Sequence, residues 1–200
     1  MLTAVQLCSQ ALVLIGAQPI TALNTSSTES TVASQLYEGV VQDMLTRHRW
    51  RFATRQRVLT VTTPAAGDME DDRWSGFYEV PADCLLIQAL TVNGYPIDFD
   101  RQQNLILTNA VATDEVVLTY NYRAPENTWP PYFDSAMRLQ LASIFAMAVA
   151  NREGLRAELE QAALRAMGSA RQQDSQGRTN QRFDVSRIVN ARRTVRDRVQ

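Results

Sequence analysis

The chain has 200 residues, 45% of them hydrophobic, and sets 20 basic residues against 21 acidic ones for a formal net charge of −1. That is enough apolar material for one domain, or for a small domain inserted in another, and it argues against a disordered chain. The near-neutral balance argues against a dedicated nucleic-acid binder, yet it averages an asymmetry: residues 171–200 hold eight Arg and three Asp, net +5, behind a body of net −6.

Every basic residue is Arg and none is Lys, so each offers a planar fork suited to bidentate contacts at interfaces. Cys8 and Cys84 stand alone in apolar segments, with neither a disulfide framework nor zinc spacing, and are expected as buried thiols in a reducing compartment. The longest nearly unbroken apolar run, 141–150, is interrupted by Ser143 and is too short to span a bilayer. No Arg precedes Arg47, so the charged start of a signal peptide is missing and synthesis in the cytoplasm is expected.

Along the chain, Thr3 followed by Gln6 has the form of a capping box, and Ala4, Leu7, Cys8, Ala11, Leu12 and Ile15 recur at helical spacing. Gly16 is placed to end this helix and Pro19 to prevent its return. Residues 17–28 are loop chemistry. A second helix is expected from about Ser30, with Val32, Ala33, Leu36, Val40 and Met44 along one side. Neither helix stands alone, so their stripes must pack on each other or on later helices.

Residues 47–59 mark the change from helical to strand periodicity. If most of this stretch is extended, Arg49, Arg51, Arg55 and Arg57 face one way and Trp50 and Phe52 the other. A strand anchored in a core competes here with a nucleic-acid surface; the first is favoured, because stacking aromatics belong on the same face as the phosphate-binding arginines. Short strands are then expected over 52–62, 74–80, 84–92, 95–99, 105–108 and 115–122, with Asn93-Gly94 as a tight hairpin turn. Helix returns at Trp129-Pro130-Pro131, proline being tolerated at a helix start. Phe133, Ala136, Met137, Leu141 and Phe145 make this helix the most buried of the set, and Asn151 to Gly154 ends it. A fourth helix carries Leu155, Leu159, Ala163, Ala166, Met167 and Ala170 on one face. Beyond Gly177 the periodicity weakens, as in a tail that orders on a partner.

The expected fold is therefore α+β. A four-helix body (1–50 and 128–176) surrounds an inserted antiparallel β domain (51–127), a sandwich or small barrel, and an extended basic tail (177–200) follows. No catalytic site is expected. His48 is the only histidine, and its neighbours Arg47 and Arg49 disfavour the imidazolium. Nucleophile-elbow, phosphate-loop, dinucleotide and zinc-protease motifs are missing. The acidic run Asp68, Glu70, Asp71 and Asp72 lacks the order of a calcium loop. Neither a metal nor a cofactor is expected.

Four segments carry a resemblance. They are Ile15-Gly16-Ala17-Gln18-Pro19-Ile20, then Trp50-x-Phe52-Ala53, then Tyr78-x-Val80-Pro81-x-Asp83-Cys84-Leu85, then Trp129-Pro130-x-Tyr132-Phe133. In this order they resemble the tail tubular protein A family of short-tailed bacteriophages, over roughly residues 4–175. The resemblance implies a head-to-tail adaptor in the virion neck, in a ring expected to be twelve-fold around the DNA path. The implied partners are other copies of the chain, the portal protein and the tail nozzle protein, with tail fibres as a further candidate; DNA would pass without sequence-specific contact.

Residues from 171 onward fall outside the resemblance. For them the expectation is docking in an acidic, partly apolar portal groove through Arg182, Phe183, Arg187, Ile188, Val189, Arg192, Arg193 and Arg196. Trp50 and Phe52 are expected as anchors at the domain junction. The rival reading is a nucleic-acid-binding module using the tail or the arginine stripe.

Overall fold

A computed structural model of the chain describes residues 2–63, 73–111 and 113–177. The acidic run 68–72 and the tail from 178 onward lie outside the described residues.

Helix α1 (Ala4–Leu14) begins with a complete capping box: Thr3 Oγ1 accepts the Gln6 N–H at 3.3 Å and Gln6 Oε1 accepts the Thr3 N–H at 2.9 Å. Gly16, at φ +74°, turns the chain out of it. Helix α2 (Thr28–Thr46) starts earlier than the apolar spacing indicates, because Ser27 is its cap and accepts the Ser30 N–H at 3.2 Å. Ser30 is buried and pins the preceding loop: its hydroxyl donates to the Ala22 carbonyl at 3.0 Å and accepts the Thr25 N–H at 3.1 Å. Helix α3 (Pro131–Ala148) has proline in its first turn, and α4 (Glu153–Gln176) follows a break at Asn151, φ +49°. The four stripes form one core, with Leu12, Val41, Met44, Phe133, Leu141, Phe145 and Met167 among its members. Among the described residues no helix is long and apolar enough to cross a membrane.

Between α2 and α3 stand two antiparallel sheets. One has the order β1-β7-β3-β4, from Thr54–Val58, Val116–Tyr122, Cys84–Val92 and Tyr95–Pro96. The other has the order β2-β6-β5, from Gly76–Glu79, Leu105–Thr108 and Phe99–Gln102. Their inner faces share a second core, to which Leu90, Leu118 and Tyr120 come from the first sheet and Tyr78 and Ile106 from the second. Of the two architectures open to the sequence, the unit is a small sandwich. Asn93 (φ +51°) and Gly94 (φ +80°) make the hairpin turn between β3 and β4.

Two strands differ from expectation. The 52–62 segment is a strand only over Thr54–Val58, because Arg51, Phe52 and Ala53 form a turn in which Ala53 N–H donates to Trp50 O and Thr54 N–H to Arg51 O, at 3.2 and 3.3 Å. The alternation inferred for residues 49–57 is therefore broken in its middle. The 95–99 segment is two strands: past Pro96 one more backbone bond, from Ile97 N–H to Leu90 O at 3.0 Å, holds the chain to β3, and it then crosses to the other sheet before Phe99.

Candidate functional site

Where the chain leaves α2, the local sequence concentrates aromatics and arginines, and folding sorts them. Trp50 is fully buried, its indole N–H donating to the Met44 carbonyl at 2.9 Å. Its ring stands edge-on to Phe133 at 5.0 Å and to His48 at 4.8 Å. Phe52 lies 5.9 Å from Trp50 and 4.9 Å from Phe133, and Trp129 is edge-on to Phe133 at 4.9 Å. Four aromatics from two distant segments, 50–52 and 129–133, thus meet at one end of the helical core. Trp50 and Phe52 both belong to that core rather than lying between the two. It is Tyr122, at the end of β7, that packs against both clusters.

The crossing itself is held by polar groups. Asn121 is buried and donates from Nδ2 to the carbonyls of Leu45 and His48, each at 2.7 Å. The Leu45 carbonyl is one of those that a helix end leaves without an intrahelical donor, and the His48 carbonyl, just past the cap, also accepts the Trp50 N–H at 3.0 Å. The Asn121 carbonyl oxygen accepts from the Gln88 amide, which also donates to Thr54 Oγ1 at 2.9 Å. Thr54 Oγ1 in turn donates to the Trp50 carbonyl at 2.6 Å.

Arg123 forms a second tie. It grips Glu38 on α2 with Nε and Nη2 at 2.9 and 3.0 Å, and Nη2 reaches Glu126 at 2.7 Å. Tyr37 OH also donates to Glu126, at 3.0 Å. The hydrogen bonds from Arg123 hold the Glu38 carboxyl below its usual range. Burial pushes the Glu126 carboxyl upward, but the same guanidinium more than offsets it.

Asp174 is a further residue of this site, missed by the reading of the sequence. This buried carboxylate in the last turns of α4 accepts the Tyr132 hydroxyl at 2.8 Å and faces the Arg51 N–H at 3.3 and 3.4 Å. His48 Nε2 lies 3.7 Å from it. Burial pulls the His48 pKa below its ordinary value, and Arg171 adds to this while Asp174 opposes it. Near neutral pH the pair is therefore a neutral imidazole beside a carboxylate rather than an ion pair. The spacing Ala163, Met167, Ala170, Asp174 keeps the helical phase of the buried stripe, and an acid at a core phase was the available signal. Beside it Arg51 reaches the point where the chain leaves α4: a Cβ on Gly177 would lie 2.7 Å from its Nη1.

Of the arginine stripe, Arg49, Arg51 and Arg55 line one open groove of about 630 Å³ together with Thr54, Gln56 and Gln88. Arg57 lies outside it, on β1. Arg55 Nη1 is 2.6 Å from Asp83 Oδ2 and its guanidinium lies 3.9 Å over the Tyr122 ring. Arg47 pairs with Asp43 at 2.5 Å. The tail residues Arg182, Phe183, Arg187, Ile188, Val189, Arg192, Arg193 and Arg196 lie outside the described residues. Comparison with models of known protein families finds no match to this chain. A search of curated proteins also finds none.

Proposed function

We propose that the chain is a structural subunit of the ring that joins portal and tail nozzle in a short-tailed bacteriophage, a head-to-tail adaptor around the DNA path. The observation that carries this reading is the convergence of the resembling segments. Trp50 and Phe52 of one and Trp129 and Phe133 of another form a single aromatic cluster at the end of a four-helix body. Asp83 of a third holds Arg55 at the base of the inserted sandwich. The architecture, a helical body with an inserted antiparallel β unit, agrees with the one the resemblance implies. A body of net negative charge with a net positive tail supplies complementary surfaces for neighbours related head to tail.

Electron microscopy of the purified chain with and without portal rings tests the reading. Rings of the adaptor seated on the portal are expected. Removal of residues 178–200 is expected to leave a folded chain that no longer binds portal rings, and unchanged binding would assign docking to another surface.

The Arg49–Arg51–Arg55 groove favours one second reading, binding of nucleic acid. Among the described residues none that lines the groove is aromatic, and Trp50 is buried, so these residues offer phosphate contacts without a stacking platform. DNA pull-down at two salt concentrations separates the readings: a strong interaction that falls steeply with salt supports nucleic-acid binding.

A further inference from the structure

Among the described residues, strand β1 is the edge of its sheet, paired with β7 on one side only. Leu59 N–H donates to Val116 O at 2.8 Å and Tyr122 N–H to Ala53 O at 2.9 Å, in a register that sets Thr54 opposite Asn121 and Val58 opposite Val117. Hydrogen-bonded pairs alternate along an antiparallel ladder, so residues 53, 55, 57 and 59 face β7. The backbone N–H and C=O groups of Gln56 and Val58 therefore point away from the sheet. Residues 55–58 are all exposed, and Val58 and, beyond the strand, Val61 expose 53% and 44% of their surface. A row of free backbone groups beside exposed valines is a template for a further strand.

Charge decides which strand. Arg55 and Arg57 share one face of β1, and Arg49 and Arg51 precede it. Arg55 is held by Asp83, whereas Arg49, Arg51 and Arg57 form no ion pair among the described residues. Two copies pairing β1 against β1 would bring arginines together, which is unfavourable. The edge is thus closed to itself and open to an acidic chain. The opposite face of the strand carries Gln56 and the exposed Val58.

We propose that the β1 edge receives an extended segment of a partner protein in which acidic residues alternate with β-branched apolar ones, acids toward Arg55 and Arg57 and apolar side chains toward Val58. The proposal is independent of the ring-building reading and of the tail.

The full chain is titrated with a capped, fluorescent heptapeptide alternating glutamate and valine, with a lysine–valine heptapeptide as control and short duplex DNA as competitor. The glutamate peptide is expected to bind and the lysine peptide not to. Gln56→Pro removes one outward N–H at an edge position that tolerates proline. This variant and Arg57→Glu, each checked for an unchanged melting temperature, are expected to weaken binding about tenfold. Arg156→Glu on the exposed side of α4 should leave it unchanged. Hydrogen exchange at the Gln56 and Val58 amides is expected to slow on binding, which charge attraction alone would not produce. Binding without that slowing, equal affinity for the lysine peptide, tighter binding of the DNA at the same site, or protection of these amides by self-association would each overturn the proposal.

Discussion

Trp50 and Asn121 do different work at the same crossing. Trp50 fills space between Phe133, His48 and Phe52, so Trp50→Ala is expected to cost about 3–5 kcal/mol through the cavity it leaves, read as a lower denaturant midpoint. Asn121→Leu removes the side-chain donor of the Leu45 carbonyl in the last turn of α2, while the His48 carbonyl keeps the Trp50 N–H, and the expected loss is about 1–3 kcal/mol for the group left buried and unpaired. His48 gives a pH dependence with a definite sign. Its folded pKa lies below the unfolded value of about 6.5, so on acidification the unfolded chain takes up a proton first. Stability should fall as pH drops from about 6.5 toward the folded pKa, then lose nothing further from this group. In His48→Gln that part of the pH dependence should vanish from denaturation curves. The carboxyls of Glu38 and Glu126 are depressed, so their stabilisation is present above the ordinary carboxylate range and is lost only in stronger acid.

At the scale of elements, capping and turn chemistry placed boundaries well where a side chain or a backbone angle acts locally. Thr3 with Gln6 marked the start of α1, and strands Cys84–Val92 and Leu105–Thr108 have the bounds their pattern gave. The Asn93-Gly94 turn needs positive φ at both residues, and nothing lies within 4 Å of a Cβ built on Gly94. Gly94→Ala should therefore cost about 1 kcal/mol from backbone strain alone, measurable by thermal denaturation. Boundaries failed where a tertiary contact overrode the pattern. Residues 49–52 alternate in polarity like a strand, but with Trp50 buried in the helical core the chain turns over residues 51–53.

For the molecule as a whole, the two cores differ in depth. The helical core takes in all four helices, while the sandwich core rests on a few buried residues such as Tyr78, Leu90 and Ile106. Amides of β2, β5 and β6 are therefore expected to exchange with solvent faster than those of α3 under native conditions, and mass-spectrometric hydrogen exchange reads this directly. The link between the cores runs through Asn121, Tyr122 and Arg123, consecutive residues whose side chains serve α2, both cores and Glu126 in turn. Alternation along a strand showed two faces there but not what each would meet.

Periodicity and capping by themselves determined the alternation of helical and strand stretches and the insertion of a β unit between two helical pairs. These depend on neighbours along the chain. Tertiary structure alone decided that the β unit is a sandwich, that Asp174 is buried under Tyr132 and Arg51, and that β1 is an edge among the described strands. Each of those depends on which distant segments meet, and the chain settles that only when its two cores close.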